Sequence, residues 1–457
     1  MLFDLESIEQ HFQIPLERKI KYGEVNTDFS LIQSIYSLLP DSIFSNPELR
    51  WLDVGAGYGY FSMVLFNKLF VGLEHAFSDP FERTKHILTY NITMIEINPI
   101  FKKELMKYFS KDANIIIKDF LSFSLEKRYD ILIGNVPYNT NGLVKTPTNH
   151  KSNKKQDGLT IWPQFIRKMV SHVKENGYLC VIIPSLWMRR DRAKMHQFLC
   201  NYKLHKCVTL TNTETNKWFK GNAQTPTCYF TLQKVKTDNK LSLFDAMTKT
   251  YVEYDYKNIE TPIPLTHITI INKLQSFVTK YGCIYVKKTN TPPKYISIQS
   301  VENKEHPYKN IKTCILQCLQ PLLVFEFSNK ELVFANENKL VLANKMYGFP
   351  YYDSNGSYGI SRRDNYVIIK KTHEEFLLLQ SFLSSPLALF VYEATRYRMK
   401  YLEKEAFLFL PNVCNLENFT IENMFNIFEI NEEERIFICN FHKNYGLCTP
   451  FYISNAD

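Results

Sequence analysis

The stretch Leu52-Asp-Val-Gly-Ala-Gly-Tyr-Gly59 decides the fold of this chain. It ends an apolar run at residues 50–54 and precedes a helical pattern at 61–69, so its three alternating glycines lie between a strand and a helix. Glycine adopts backbone conformations closed to other residues and lets a ligand approach the main chain closely. The stretch therefore predicts a ligand site at the carboxyl end of a strand in an α/β sheet, with a plain tight turn as the alternative.

Similar apolar runs alternate with helical patterns on the carboxyl side of this loop. The candidate strands are residues 50–54, 91–96, 114–117, 129–133, 178–183 and 227–232. A helical pattern at 161–175 is closed by Asn176-Gly177, a typical helix stop. Near-continuous apolar runs of this length suit strands buried on both faces. The alternation predicts an α/β fold with a mostly parallel, Rossmann-like sheet covered by helices.

The spacing inside the glycine loop separates two kinds of cofactor. Gly55, Gly57 and Gly59 alternate with single residues, unlike the Gly-x-Gly-x-x-Gly pattern of dinucleotide loops. Asp53 stands two residues before the first glycine. This combination is more typical of a loop that wraps the amino-acid part of S-adenosylmethionine (SAM). We expect Asp53, Gly55 and Gly57 to bind that cofactor.

Acidic residues also follow the next two predicted strands. Glu96 can accept hydrogen bonds from both ribose hydroxyls of a nucleoside. Asp119 can accept from an adenine amino group while Phe120 packs on the ring. Either residue alone could be an ordinary exposed acid at a strand end. Three acids at three successive strand ends behind a glycine loop instead predict a site for an adenosine-containing cofactor.

The segment Ile133-Gly-Asn-Val-Pro-Tyr-Asn139, at the end of another predicted strand, carries the groups needed to methylate an exocyclic amine. The side-chain carbonyl of Asn135 and the main-chain carbonyl of Val136 can accept from the amine, which frees its lone pair for attack on the sulfonium methyl. Pro137 stiffens the turn and Tyr138 can stack on the base. The alternative is an ordinary Asn-x-Pro-Tyr turn.

With these motifs in order, the sequence resembles the gamma-group DNA methyltransferases, specifically the Taq-type and Eco57-type N6-adenine enzymes. Residues 21–28, Lys-Tyr-Gly-Glu-Val-Asn-Thr-Asp, resemble the family's motif X, which implies that Thr27 contacts the cofactor. Residues 135–138 are similar to the family's Asn-Pro-Pro-Tyr signature, with Val136 in place of the first proline. The long gap between Asp53 and Glu96 is similar to the Eco57-type arrangement.

The resemblance extends to the second half of the chain. The polar, charged stretch at residues 236–240 predicts a linker, which places a domain boundary near residue 237. The resemblance implies that 1–237 is a SAM-binding catalytic domain and that 238–457 is a mixed α+β target-recognition domain, most visible in residues 349–361 and 407–413. A second aromatic residue facing the flipped adenine is expected at Phe219, with Trp218 as the alternative. Arg362 and Arg363 could reach guanines or phosphates.

The charge of the chain is concentrated near the Asn-Val-Pro-Tyr segment. The 457 residues contain 55 Lys and Arg against 46 Asp and Glu, and residues 145–194 alone hold eleven basic against three acidic residues. This excess favours a phosphate backbone as the partner. The DNA-binding candidates in this segment are Lys151, Lys154, Lys155, Arg189 and Arg190.

Composition and segment patterns also narrow the setting of the protein. No apolar run reaches the length of a membrane span, and the amino terminus has no signal pattern. Ten scattered cysteines without a Cys-x-x-Cys pair favour free thiols over disulfides or a zinc site, so no metal is expected. We expect a soluble protein inside a bacterial cell or a virus-infected host cell, without a membrane partner.

The resemblance implies a site-specific adenine N6-methyltransferase (EC 2.1.1.72) that acts on a flipped base in double-stranded DNA. Two other enzymes use a similar loop, an RNA adenine N6-methyltransferase and a protein-glutamine methyltransferase. N4-cytosine enzymes usually carry serine at the position of Asn135. A non-catalytic specificity subunit of a restriction system is the alternative from another class. A paired restriction endonuclease is an implied partner, whereas no fused nuclease signature is visible.

Overall fold

The computed structural model describes most of the chain, in ten segments. These are residues 2–9, 26–124, 128–139, 160–220, 223, 225–256, 261–317, 320–344, 349–398 and 401–443. Residues 21–25 of the motif X segment lie outside the described residues, as do Lys151, Lys154 and Lys155.

Nine strands form the sheet that organises the first half of the chain, in the order β3-β2-β1-β4-β5-β7-β6-β8-β9. Strands β1 to β5 are mutually parallel, and β7 runs antiparallel between β5 and β6. The strands are β1 Trp51–Val54, β2 Ile92–Glu96, β3 Asn114–Ile117, β4 Tyr129–Gly134, β5 Val173–Pro184, β6 Tyr202–Leu210, β7 Thr227–Lys236, β8 Lys240–Asp245 and β9 Thr250–Asp255. The predicted parallel α/β sheet is confirmed.

Helices accompany this sheet and complete its core. They are α1 Leu5–Glu9, α2 Phe29–Tyr36, α3 Tyr60–Gly72, α4 Pro80–His86, α5 Phe101–Phe109, α6 Trp162–His172, α7 Met195–Leu199 and α8 Asn212–Trp218. Shorter helical turns are the 3₁₀ segments Asp41–Ser45 and Ser185–Met188 and the π segment Ile87–Asn91. One hydrophobic cluster joins α2, α3 and α5 to the strands, because the apolar side chains of these helices are buried on the sheet.

Two local predictions in this half differ from the structure. The helix predicted to end at Gly177 ends at His172, and Asn176 and Gly177 lie inside β5. Asn176 has a φ of 68°, and a Cβ on Gly177 would lie 2.4 Å from the carbonyl oxygen of Asp130. The glycine is required there by close approach to β4, which shifts the register between β4 and β5. Strand β6 was not predicted, since its alternating polar residues are typical of a half-exposed strand.

A second compact unit comprises Asp245–Val252 and Pro262–Asp457, and the first comprises Met1–Phe244 and Glu253–Thr261. The predicted linker at residues 236–240 therefore lies within the first unit, where it joins β7 to β8. The chain first leaves that unit after Phe244, rather than at the predicted 237/238 boundary. The catalytic and target-recognition labels stay predictions.

The second unit contains two four-stranded sheets, ordered β10-β17-β14-β15 and β11-β13-β12-β16. The strands are β10 Lys287–Lys288, β11 Ile298–Gln299, β12 Tyr308–Gln317, β13 Gln320–Ser328, β14 Lys339–Ala343, β15 Tyr351–Asp353, β16 Gly359–Ile360 and β17 Asn365–Ile369. The helices are α9 Ile268–Tyr281, α10 His373–Leu383, α11 Pro386–Ala394, α12 Met424–Ile427 and α13 Glu432–Lys443, with 3₁₀ turns Lys404–Phe409 and Val413–Asn415. The predicted α+β character is confirmed.

Among the described residues, no single helix has both the length and the apolar character to cross a bilayer. The pair α10 and α11 satisfies these criteria only jointly, across a bend of 63°.

Candidate active site

The glycine loop forms a cradle between β1 and β2. The main-chain N–H groups of Gly55 and Ala56 both donate to the carbonyl oxygen of Ile95, at 2.9 and 3.1 Å. Gly55 and Gly57 have φ values of 74° and 53°, and a Cβ on either would meet nothing within 4 Å. These glycines are therefore required by their backbone conformation, and the space beside them is open to a ligand.

Gly59 has a different role in the same loop. Its φ is 82° and it precedes the first residue of α3. A Cβ at this position would lie 2.6 Å from Cε2 of Phe109 and 2.9 Å from Cδ2 of Leu105. Gly59 thus lets α3 start directly after the loop while α5 packs against it.

Asp53 and Glu96 lie on adjacent strands beneath this loop. Glu96 accepts hydrogen bonds from the N–H groups of Gly57 at 2.9 Å and Asn98 at 2.8 Å, one on each carboxylate oxygen. Two ribose hydroxyls would need both oxygens of such a carboxylate as acceptors. Ser62 donates to Oδ2 of Asp53 at 2.7 Å. Burial, with the charge of Glu96, raises the pKa of Asp53 to about 7 despite the hydrogen bond from Ser62.

Asp119 and Phe120 lie one strand further out. Asp119 accepts from the N–H of Leu121 at 3.0 Å, which fixes the turn after β3. The ring of Phe120 is buried and stacks on Phe165 of α6, with centroids 5.8 Å apart. The structure therefore gives Phe120 a packing contact within the protein, and its predicted contact with the adenine ring stays a prediction.

Lys168 of α6 holds the same turn and was not singled out from the sequence. Its ammonium donates to the carbonyl oxygens of Leu121 at 3.0 Å and Phe123 at 2.6 Å and lies 5.3 Å from the centroid of Phe120. Ile97, next to Glu96, was also not singled out from the sequence, and its side chain is 51% exposed. No local signal in the sequence distinguishes Lys168 from a solvent-exposed helix lysine, because its contacts with this turn form only in the folded chain.

The Asn-Val-Pro-Tyr segment follows β4 at the same edge of the sheet. Gly134 has a φ of 146°, and a Cβ there would lie 2.6 Å from the carbonyl oxygen of Val54. The side chain of Asn135 donates from Nδ2 to Oγ1 of Thr27 at 3.1 Å. Val136 is buried, and the carbonyl of Tyr138 accepts from the N–H of Ile161 at 3.0 Å. The structure thus brings together Thr27, Asn135 and the start of α6.

Tyr138 offers a test of this segment. Its hydroxyl is buried and has no hydrogen-bond partner among the described residues, and burial raises its pKa. Tyr138→Phe should therefore raise the free energy of unfolding by about 1 kcal/mol, because an unpaired buried hydroxyl is removed. Methyl transfer should persist, since the ring remains. Urea unfolding and a turnover assay measure the two effects.

Tyr36→Phe is the matched control for Tyr138→Phe. The Tyr36 hydroxyl is also buried, but it donates to the carbonyl of Phe61 at 3.0 Å. Its loss should lower the free energy of unfolding by about 1 kcal/mol. Equal destabilisation by the two substitutions would show that the Tyr138 hydroxyl is paired after all.

The two candidates for the second aromatic position differ in exposure. Phe219 is 1% exposed within the hydrophobic core, whereas Trp218, the last residue of α8, is partly exposed. In this conformation Trp218 is the better placed of the two to meet a base, although the assignment to either residue stays a prediction.

The basic candidates fall into two groups. Arg189 and Arg190 follow β5, which is parallel to β4, so they lie at the sheet edge that carries Asn135. Arg190 is exposed, and Arg189 donates from Nη1 to the carbonyl of Arg190 at 3.2 Å.

In the second unit, Arg362 forms a bidentate ion pair with the buried Glu326, at 2.7 and 2.6 Å. Burial opposes the charge of Glu326, but hydrogen bonds from Arg362, Lys312 and Ser361 lower its pKa. The guanidinium of Arg362 is thus paired within the protein in this conformation, and its predicted base or phosphate contact stays a prediction. Arg363 is the more exposed of the two, with 73% of its side chain accessible against 46% for Arg362, and its Nε lies 3.8 Å from a carboxylate oxygen of Asp364.

Eight cysteines in the described part of the chain are free thiols, and no group of three or more His, Cys, Asp or Glu residues there is arranged to hold a metal ion.

The sheet order with antiparallel β7, the glycine cradle and the strand-end acids define a class I SAM-dependent methyltransferase domain. The open cradle and the carboxylate of Glu96 fit the amino-acid and ribose parts of SAM, which is the cofactor of this class. Residues 42–219 match the family model for the Eco57I restriction-modification methylase. The resemblance seen in the sequence is confirmed.

Two curated relatives match parts of the chain. Type II methyltransferase M.AccI of Acinetobacter calcoaceticus is 25% identical over 224 residues, which cover 46% of this chain and 37% of that protein. The tRNA1(Val) (adenine(37)-N6)-methyltransferase of Flavobacteriaceae bacterium (strain 3519-10) is 29% identical over 101 residues, or 21% and 42% of the two chains. The chain thus spans less than half the length of either relative.

Solved structures of restriction-modification proteins are also similar at low identity. The type IIG restriction endonuclease BpuSI is 13% identical, with a TM-score of 0.41 over 95% of this chain and 64% of that chain. The M protein of the type I restriction enzyme EcoKI is 15% identical, with a TM-score of 0.36 over 48% of each chain.

Proposed function

We propose that this protein methylates N6 of adenine at a specific sequence in double-stranded DNA, with SAM as the methyl donor. The observation that carries the proposal is the position of Asn135 at the end of β4, at the sheet edge shared by the glycine cradle and Glu96. An amide at this edge can meet a base amine beside the cofactor.

The reaction needs the amine lone pair to leave the base ring system. When bound, SAM supplies an electrophilic methyl group on a positively charged sulfur. Oδ1 of Asn135 and the main-chain oxygen of Val136 accept the two N–H groups of the amine, which favours a tetrahedral nitrogen with its lone pair directed at the methyl carbon. Pro137 restricts the turn that presents both acceptors.

Access to the amine requires the adenine to leave the helix stack. The ring of Tyr138 provides one stacking surface, and Trp218 or Phe219 provides the other. Stacking between two aromatic rings offsets part of the unstacking cost, which is a few kcal/mol. Arg190 in the first unit and Arg363 in the second are exposed cations, each of which can meet a DNA phosphate.

The relatives favour DNA adenine but keep RNA as the second candidate. M.AccI is named a type II methyltransferase, which supports a restriction-modification role on DNA. The tRNA relative is named for N6 of adenine, which supports that atom but in RNA. The Eco57I family match favours DNA, and a restriction endonuclease with the same target is the partner that accompanies this proposal. Its location inside the cell stays a prediction.

Methyl transfer from labelled SAM to plasmid DNA, tRNA and a protein mixture tests the proposal. We expect the label in DNA, where digestion releases it as N6-methyl-2′-deoxyadenosine. Modification-sensitive sequencing should place the methylated adenines in one recurring motif. Label found only in RNA or protein, or in cytosine, would overturn the proposal.

The ionisation of Asp53 gives a pH prediction for cofactor binding. The cationic sulfonium and ammonium groups of SAM favour the carboxylate form of Asp53, so binding should release a proton. With a pKa of about 7, the affinity for SAM should fall about tenfold between pH 8 and pH 6. Calorimetric titration in buffers of different ionisation enthalpy measures both the affinity and the proton release.

Asp53→Asn is the control for this pH dependence. The variant keeps a hydrogen-bond acceptor for Ser62 but cannot ionise, so its affinity should change less over the same range. An equal slope in the variant would assign the pH dependence to SAM itself or to another group.

A further inference from the structure

The amide of Asn135 is held by a residue far away in the sequence. Nδ2 of Asn135 donates to Oγ1 of Thr27 at 3.1 Å, across 108 positions of the chain. The resemblance to known methyltransferases assigns Thr27 to the cofactor, whereas this contact connects it to the residue that would hold the base.

The direction of the hydrogen bond determines what Asn135 presents to a substrate. A primary amide has donors on its nitrogen and acceptors on its oxygen, at opposite sides of the group. Because Nδ2 donates to Thr27, Oδ1 lies on the side of the amide that faces away from Thr27. A flipped amide would present N–H donors to a base amine that is itself a donor, so only one of the two orientations supports the reaction.

Thr27 is well suited to hold the amide in the arrangement seen here, because it is buried and anchored. It directly precedes Asp28, which caps α2 by accepting from the N–H of Ser30 at 2.9 Å. Helix α2 is in turn fixed on the core, where the hydroxyl of Tyr36 donates to the carbonyl of Phe61 at 3.0 Å and the thiol of Cys180 to that of Ile35. The hydroxyl of Thr27 therefore has a defined position relative to β4.

We propose that Thr27 is a positioning residue that orients the Asn135 amide, so that Oδ1 faces the base amine. The inference rests on the proposed function, in which Asn135 accepts from that amine. Its effect is exerted in the chemical step, because the orientation of Asn135 matters for the amine and not for the adenosine part of SAM.

Thr27→Val removes the acceptor at nearly constant shape, and Thr27→Ser keeps it. We expect Thr27→Val to lower kcat about tenfold, the loss expected for one hydrogen bond, while the Kd for SAM and the KM for DNA stay near the wild-type values. Thr27→Ser should restore most of kcat. A thermal unfolding midpoint close to that of the wild type would show that both variants fold.

Asn135→Asp provides a second measurement. A carboxylate has two equivalent acceptor oxygens and needs no orienting partner, so Thr27→Val should cost less in this background than in the wild type. If Thr27→Val raises the Kd for SAM without changing kcat, the inference is overturned and Thr27 is a cofactor contact. Equal kcat for Thr27→Val and Thr27→Ser would also overturn it, whereas a wild-type protein inactive on all DNA would refute the proposed function instead.

Discussion

Replacing Asn135 with alanine should lower methyl transfer by about 10²- to 10³-fold, the loss found when one preorganised hydrogen-bonding group is removed from a reacting centre. The variant loses the side-chain acceptor for the amine, while the main-chain carbonyl of Val136 remains. The glycine cradle and its hydrogen bonds to Ile95 and Glu96 do not involve Asn135. Binding of SAM should therefore be retained. Single-turnover assays and calorimetric SAM titration measure the two properties separately.

Asn139→Ala is the matched control for this substitution. Asn139 lies four residues further on and pairs through its backbone with Thr160 in an isolated bridge, which alanine can keep. We expect it to retain far more activity than Asn135→Ala. Full activity of Asn135→Ala would refute the proposed mechanism, and loss of SAM binding in that variant would show that its effect is on the cofactor site.

The second large effect is expected from Lys339→Met, in the second unit. Lys339 is 0% exposed, and its ammonium donates to Oδ2 of Asp353 at 2.5 Å and to the carbonyl of Glu337 at 3.1 Å. Asp353 also accepts from the N–H groups of Ser357 and Tyr358, at 2.9 and 3.0 Å. Removing Lys339 leaves a buried carboxylate without its counter-charge. The free energy of unfolding should fall by about 3–5 kcal/mol.

This substitution also tests the role of residues 349–361. The Lys339–Asp353 pair fixes the turn of that segment, where Gly356 has a φ of 65° and a Cβ would lie 2.7 Å from the backbone nitrogen of Glu337. If the segment belongs to a target-recognition unit, Lys339→Met should reduce DNA methylation while the first unit still binds SAM. Urea unfolding, SAM titration and methylation of the cognate sequence measure these effects.

Lys371→Met is a suitable control for Lys339→Met. Lys371 pairs with Glu375 at 2.7 Å within the same unit, but both side chains are partly exposed. Exposed pairs of this kind contribute about 0–1 kcal/mol. Similar destabilisation by the two lysine substitutions would contradict the importance assigned to burial of the Lys339–Asp353 pair.

Comparison of the predicted and observed strands shows which sequence patterns were sufficient to predict a strand. The runs that became β1 to β5 and β7 are apolar along most of their length, which is the pattern of buried strands, although β3, at the edge of the sheet, is only half-buried. Strand β6 alternates Lys and His with apolar residues and was missed. The end of α6 was misplaced because a glycine required by contact with Asp130 looks the same in sequence as a helix stop.

Some features of the candidate functional residues were likewise predictable from the sequence, and others were not. The glycine loop, Asp53, Glu96 and Asn135 were predicted, because each directly follows or ends an apolar strand and parallel strands bring such residues to one edge. The pairing of Arg362 with Glu326 was not, since these residues are 36 positions apart and an arginine carries no local sign of its partner.

The sequence by itself determined the α/β class, the resemblance to Eco57-type methylases and the residues at the strand ends, because these depend on local periodicity and on short motifs. Only the tertiary structure decided which donor and acceptor atoms meet. In the folded chain, Asn135 donates a hydrogen bond to Thr27, the rings of Phe219 and Phe120 are buried, and Lys168 donates to the turn after β3. Those contacts arise from chain segments brought together by burial of the core, and hydrogen-bond geometry between such segments leaves no pattern in either of them.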